Sequence, residues 1–417
     1  MSLMSHLLKM LLRILLLRNR KKIEAEISEQ QSGFITGKGT REGIFSLRTI
    51  CERYCEVDKK VFMCFIDYEK AFDRVNHEKM IECLRNIGTS EKDLKLIVNL
   101  YWTQKAAIRL ERGTTENFEI KRGVRQGCVL SPSLFNLYTE NIYRTIGNNN
   151  LGVKIGGYCI NNLRYADDTV LLAESEEDLQ EIVDSVNEAG KEYNMKINAK
   201  KTKTMVISKR GEWTPIKIKV DEAEIEQVKK FIYLGHIITE DGRSDEEIKR
   251  RIGIARTAFS KMDKSLTKPQ IPQSTRKRIL QCYTWSTLLY AAETWTTSNA
   301  TRDRLRAFEL WCYRKMLNIR WTDRTTNEEV LRRINIKVRL LKTIQRRTLK
   351  FFGHIVRQED LQRKLLDGQI EGRRSRGRPR TKWSSNIISW TGLNYIEAIR
   401  RANDRSDWRT LASNPLL

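Results

Sequence analysis

Two adjacent aspartates, Asp167 and Asp168, interrupt an otherwise strand-forming run: Asn162-Leu163-Arg164-Tyr165-Ala166 precedes them and Thr169-Val170-Leu171-Leu172 follows. Apolar and β-branched residues on both sides predict two buried antiparallel strands, with the acids at the tight turn between them. Like charges side by side are costly unless a cation neutralises them. Mg²⁺ suits such a place, because it prefers a couple of carboxylates plus substrate phosphate oxygens to a closed protein cage. The other reading of the pair is an ordinary surface turn.

A third acid stands in a similar position. The compact apolar run Val61-Phe62-Met63-Cys64-Phe65-Ile66 reads as a buried strand and ends abruptly at Asp67. An acid there could cap the helix that follows. Beside Asp167, it would instead complete a two-metal site of the kind that activates an attacking hydroxyl and steadies a triphosphate. Distance along the chain is no obstacle, since neighbouring strands of a sheet can come from remote segments.

The remaining pattern supplies the frame. Leu7, Leu8, Leu11, Leu12 and Leu15, interleaved with Lys9, Arg13 and Arg20, predict a packed amphipathic helix rather than a targeting segment. A Gly-bearing loop, Gln31 to Thr40, leads into a helix carrying Ile44, Leu47, Ile50 and Cys51, with Thr40 as its N-cap. Residues 69–86 read as one helix, and 104–121 as a hairpin turning near Arg112-Gly113. A helix entered at Ser131-Pro132 follows, since Pro is favourable just inside a helix start. Residues 153–173 predict two or three short strands, and Leu179, Ile182, Val183, Val186 and Tyr193 an amphipathic helix. Met205–Ser208 and Phe231–Ile238 return to strand. After Asp241-Gly242 the pattern is helical, with Ile248, Ile252, Ala255, Phe259 and Met262 on one face and Arg-rich helices reaching about residue 352. The tail from 353 onward is basic and punctuated by Gly and Arg. The fold class is therefore α+β, an antiparallel-sheet core followed by a helical module.

Charge narrows the partners. With 77 Lys+Arg against 52 Asp+Glu, the formal charge is +25. Such an excess speeds encounter with a polyanion and gains counterion release on binding it, so nucleic acid leads. The eight cysteines include no CxxC pair and the four histidines do not cluster near them. This indicates neither a zinc site nor a disulfide framework, and points to reduced thiols in an intracellular protein, in nucleus, cytoplasm or both. Nothing in the sequence spans a membrane.

Six segments in order resemble the reverse-transcriptase domain of non-LTR (LINE-like) retrotransposons. Gln31-Ser32-Gly33-Phe34 resembles the opening of that domain, and Phe65-Ile66-Asp67-Tyr68-Glu69-Lys70-Ala71-Phe72-Asp73 its first acid motif. Arg122-Gly123-Val124-Arg125-Gln126-Gly127-Cys128-Val129-Leu130-Ser131-Pro132 looks like the template-contacting motif, and Tyr165-Ala166-Asp167-Asp168 is the YADD box. Met195 to Thr202 resembles the next palm motif, and Phe231-Ile232-Tyr233-Leu234-Gly235 the primer grip. The likeness runs from about residue 3 to 330.

That resemblance implies right-hand fingers and palm over 1–240, a helical thumb-like region over 241–345 and a basic nucleic-acid-binding region over 346–417. It implies an RNA-directed DNA polymerase that uses Mg²⁺, with Mn²⁺ as the alternative, an RNA template, a DNA primer or target, and dNTPs. Asp67 and Asp167 would be the principal metal ligands, assisted by Asp168. Phe72 would wall off the ribose 2′-hydroxyl, its other reading being core packing. Gln126, Gly127 and Ser131 would lie under the templating base pair. Lys201 would meet the triphosphate or give a proton to pyrophosphate, its other reading being one more solvated lysine. Lys38 and Arg41 would be further triphosphate contacts, and Asp73 and His77 structural.

In the helical half, Lys249, Arg250, Arg251, Arg256 and Lys261 fit a surface that grips a duplex by its backbone. Trp285, Trp295, Trp311 and Trp321 read as core. Arg373 to Lys382, with its Arg-Gly-Arg-Pro centre, reads as a nucleic-acid contact of unspecified kind. Relatives of this type carry an endonuclease module, usually upstream. None is visible here and no Cys/His knuckle appears, so the expectation is a fragment. The rival readings are a catalytically silent remnant that binds nucleic acid by charge, and an RNA-dependent RNA polymerase, against which Phe72 argues.

Overall fold

The computed structural model describes residues 4–336, 339–372, 379–413 and 415. They form two compact units: Met1–Leu47 with Lys59–Lys229 and Gly368–Glu371, and Arg48–Asp58 with Lys230–Asp367 and Gly372–Leu417.

The first unit is built on a four-stranded antiparallel sheet. Its strands are β1 (Val61–Ile66), β2 (Asn162–Tyr165), β3 (Asp168–Ala173) and β4 (Lys203–Ile207), in the order β4-β1-β3-β2. The most apolar strand, β1, takes a central place, because both of its edges must find ladder partners out of water. In the register Ile66 faces Thr169 and Tyr165 faces Asp168, so β1 and the β2–β3 turn end side by side. Among the helices of this unit are α1 (His6–Glu26), α2 (Ser131–Arg144), which supplies residues behind the site, and α3 (Glu176–Glu192). Helix α3 buries Leu179, Ile182, Val183 and Val186, at the spacing expected of an amphipathic face. Ser175 caps it by accepting from the Asp178 N–H, and Glu176, Glu177 and Asp178 favour its positive end. Helix α1 buries Leu12, Leu15 and Ile23 but leaves Leu7 exposed.

Several boundaries differ from the sequence expectation. Residues 69–86 are not one helix but two, Ala71–Arg74 and His77–Asn86, because Asn76 starts the second by accepting from the N–H groups of Glu78 and Lys79. Asp67 caps neither. Thr40 is the first residue of its helix, Thr40–Glu56, rather than the cap; the Glu42 carboxylate accepts from the Gly39 N–H instead. Four strands, not two or three, fall between 153 and 173.

In the second unit the run Phe231–Ile238 is a hairpin, Lys230–Tyr233 with His236–Thr239. It turns at Leu234-Gly235, both at positive φ. Helix α4 (Asp245–Lys261) and those after it enclose a core that includes Trp285 and Trp295, whereas Trp321 is 91% exposed and lies outside any core. The tail from 353 onward is largely helical, with Leu361–Asp367, Trp383–Thr391, Tyr395–Asn403 and Arg405–Ser413. Its tryptophans are buried: Trp383 Nε1 donates to the Glu293 carbonyl and Trp408 Nε1 to that of Leu349. The helix Leu340–Val356 runs through position 345 without a break. Arg373–Arg378 lie outside the described residues; beyond them, Arg380 donates to the Asp241 carbonyl and Lys382 pairs with Glu56.

Not all of the basic helix is available to a polyanion. Glu247 is fully buried and accepts from Arg251 Nε (2.6 Å), Arg250 Nε (2.7 Å) and the Ile237 N–H (3.0 Å). Arg256, which lies over the Trp311 ring, remains exposed, as do Lys249 and Lys261. Among the described residues, no helix is long and apolar enough to cross a membrane. Removing one partner of a buried, hydrogen-bonded ion pair strands the other charge, at a cost of about 3–5 kcal/mol. Glu247→Ala should therefore destabilise the second unit by about that much, read as a lowered urea midpoint in that unit's unfolding transition.

Candidate active site

The site begins at a backbone strain. Ala166, at the corner between β2 and β3, has φ +58°, a conformation that costs an alanine about 1–2 kcal/mol. It persists because its N–H is captured by the Gln31 side-chain oxygen at 3.0 Å, which also accepts from the Gly33 N–H at 2.7 Å. Gln31 is wholly buried. The main chain reinforces it: Arg164 N–H donates to the Gln30 carbonyl (2.9 Å) and Ser32 N–H to that of Arg164 (2.8 Å). Gly33 passes so close under the turn that a Cβ on it would lie 2.4 Å from the Ala166 nitrogen. Asn136 of α2 fixes this segment by donating to the Gly33 carbonyl at 2.7 Å.

Asp67 leaves the end of β1 beside that turn. Its N–H donates to Thr202 Oγ1 (3.2 Å) and its carbonyl accepts from the Asn198 N–H (2.8 Å), so the segment before β4 holds it from both backbone ends. Its side chain is 43% exposed and lies 4.0 Å from Lys201 Nζ, which is 70% exposed. The structure thus brings Asp67, Asp167, Asp168 and Lys201 into one region. Loss of hydration in the turn, then the charges of Asp167 and Asp67, push the Asp168 carboxyl up to about 6. The same loss of hydration, with the Asp67 charge, raises Asp167. Three mutually repelling carboxylates, partly out of water, form a donor set that a hard divalent cation would relieve. Among the described residues, no group of three or more His, Cys, Asp or Glu stands ready to hold a metal ion by itself. The set fits an ion that takes its remaining oxygens from substrate phosphates.

The other expected residues are distributed around this centre. Phe72 is half-buried and stacks on the buried Phe135 of α2, centroids 4.2 Å apart and planes 14° apart. Gln126 and Gly127 lie on an exposed loop, and Gly127, at φ +94°, holds a conformation that favours glycine. Ser131 is buried at the start of α2, its hydroxyl 3.4 Å from that of Tyr101. Lys38 Nζ donates to the Glu29 carbonyl (3.1 Å), and Arg41 pairs with Glu42 (2.5 Å). His77 is buried, with Nε2 2.8 Å from the Gly123 carbonyl oxygen.

Behind the acids lies a buried polar network to which the sequence reading assigns no role. Arg164 Nη2 bonds both oxygens of Glu140 (3.1 and 2.9 Å) and its guanidinium lies 4.5 Å from the Tyr143 ring centroid. An arginine inside an apolar strand and a glutamate on the apolar face of α2 are the sequence signal for it, because a buried charge requires a partner.

Residues 1–238 match the family model described as reverse transcriptase (RNA-dependent DNA polymerase). The chain is 27% identical over 221 residues to a Pol polyprotein of an R2 retrotransposable element from Nasonia vitripennis, covering 53% of this chain and 22% of that one. It is 25% identical over 338 residues to the RNA-directed DNA polymerase from mobile element jockey of Drosophila funebris, covering 79% and 36%. The chain therefore spans about a fifth to a third of the length of these relatives. Among solved structures, apo telomerase from Candida tropicalis aligns with 87% of this chain and 60% of its own, at 12% identity and a TM-score of 0.41.

The raised acids make a pH prediction. A carboxyl held above its ordinary value is cheapest when protonated; its ionisation penalises folding progressively from about pH 4 to about 6 and fully above that. Asp168→Asn should stabilise the metal-free protein above pH 6 and have little effect at pH 4. Thermal unfolding in EDTA across that range checks it, and a difference independent of pH would contradict the assignment.

Proposed function

The chain belongs to the reverse transcriptase (RNA-dependent DNA polymerase) family, and from that premise we propose that it is a non-LTR-type RNA-directed DNA polymerase. It would extend the 3′-end of a DNA primer with dNTPs, copying an RNA template. The observation that carries this reading is the convergence of Asp67 with Asp167 and Asp168 at the adjoining ends of β1 and the β2–β3 turn. Enzymes of this family generally use divalent metal ions. Asp67 and Asp167 would hold Mg²⁺, or Mn²⁺, with Asp168 assisting. The chemistry such an ion supplies is activation of the primer hydroxyl and neutralisation of triphosphate and pyrophosphate charge.

The chain's own residues would do the rest. Lys201, 4.0 Å from Asp67, is within reach of a triphosphate beside the acids and can donate a proton to the departing pyrophosphate. Phe72, stacked on Phe135, would be the wall that a ribose 2′-hydroxyl meets. Gln126 and Gly127, from their exposed loop, and Ser131, buried at the start of α2, would lie under the templating base pair. Lys38, in the segment before Thr40–Glu56, and Arg41, in the first turn of that helix, would border the triphosphate. The helical second unit would grip the duplex backbone through residues such as Lys249 and Lys261, without reading sequence. We assign the protein to the cell interior, where an RNA template would be met.

With poly(rA)/oligo(dT), dTTP and Mg²⁺ the protein should synthesise DNA. Asp167→Ala should reduce synthesis to background while leaving template affinity nearly intact. Equal inactivity with equal binding would favour the silent, binding-only reading instead. Phe72→Ala should narrow the preference for dNTPs over rNTPs by about tenfold or more, measured as the ratio of kcat/KM values. An unchanged ratio would sink the gate.

A further inference from the structure

The acid-bearing strands are joined behind the site through one hydroxyl. Tyr68 directly follows Asp67, and Thr169 directly follows Asp168. Both side chains turn into the core, where Tyr143 Oη lies 2.7 Å from Tyr68 Oη and 2.9 Å from Thr169 Oγ1. All three residues are buried, so these bonds do not compete with bulk water. The Tyr143 ring is in turn fixed by the Arg164 guanidinium over its face, and Arg164 by Glu140. Glu140 and Tyr143 lie on the same helix, α2, one turn apart in the i, i+3 relation that places side chains on one face.

The arrangement has a clear physical purpose. Asp67, Asp167 and Asp168 repel one another, and repulsion would spread the ends of β1 and the β2–β3 turn. Ladder hydrogen bonds hold β1 to β3 only up to Ile66 and Thr169, one residue short of each acid. A bond from Tyr68 through Tyr143 to Thr169 closes that open end from beneath. We propose that Tyr143 is a positioning residue that sets the spacing of Asp67 from Asp167 and Asp168, and through it the affinity of the site for a divalent cation. This inference rests on reading those three acids as metal ligands.

The test is to titrate Mn²⁺ into the full chain holding poly(rA), a dideoxy-terminated oligo(dT) primer and a fixed concentration of dTTP, so that the phosphate oxygens the site needs are present, with free Mn²⁺ read by electron paramagnetic resonance, and to repeat it on variants. Tyr143→Phe removes only the hydroxyl and keeps the ring beneath Arg164. It should weaken Mn²⁺ binding about tenfold, at the low end for groups that hold ligands from behind. Thr169→Val should do the same, and the double variant should be little worse than either single one, because both cut one connection. In primer extension, the Mn²⁺ concentration for half-maximal rate should rise while the rate at saturating Mn²⁺ is largely regained. Unchanged Mn²⁺ affinity in both single variants, with Asp167→Ala losing it, would overturn the inference, even if their melting temperatures fell. Unchanged affinity in Asp167→Ala would overturn the metal-site reading itself. If Tyr143→Phe fails to fold, Thr169→Val and Tyr68→Phe decide the matter in the same terms.

Discussion

Three carboxylates that repel one another must be kept together at the open ends of an apolar sheet, and much of the first unit answers that constraint. A surface loop would relax and let the acids drift apart into water. Here Asp67 extends from a strand whose residues are almost all buried, and its neighbours Asp167 and Asp168 sit on a corner whose strained alanine is pinned by a fully buried glutamine. Each support comes from a different part of the chain: the segment at 30–33, helix α2, and the Asn198–Thr202 segment. The electrostatic cost of the acids and the packing of the core are two sides of one design, in which rigidity is spent where charge is concentrated.

The helical unit handles charge differently. It carries many arginines, and several serve the fold instead of facing outward. Arg250 and Arg251 converge on Glu247, Arg347 pairs with Glu293, and Arg339 pairs with Glu309. Guanidinium groups suit such tasks, since a planar fork can meet a carboxylate in two places. Counting basic residues along a helix therefore overstates the charge a polyanion would encounter.

How much of this was legible in the sequence depends on whether the signal was local. The strand Val61–Ile66, the turn at Asp167, the helix entered at Ser131-Pro132 and the face of α3 all announce themselves through periodicity, turn chemistry or a run of apolar residues. Where one residue's hydrogen bonds overrode the pattern, the reading failed. Asn76 divides an otherwise continuous helical stretch, and Leu234-Gly235 folds an apparent strand back on itself. The tail read as basic punctuation because Gly and Arg dominate its composition, yet Trp383, Trp390 and Trp408 are buried there. In the candidate site, the acids, Lys201 and Phe72 were visible as motif residues. Gln31 as a support and Tyr143 as a link were not, since their partners lie far off in sequence.

The support of the turn by Gln31 also has a bearing on how the chain acquires its structure. The bond from Gln31 to Ala166 spans 135 residues, as does that from Asp67 to Thr202. Contacts of such separation carry a large loop-closure cost before they return any stability. During synthesis β1 would leave the ribosome with neither of its sheet neighbours yet made, since β3 begins at Asp168 and β4 at Lys203. Gln31 and Gly33 would likewise wait for the turn they support. Asp67 thus cannot be held from both backbone ends until Asn198–Thr202 has been made, and a nascent chain ending before β4 lacks the strand that completes the sheet.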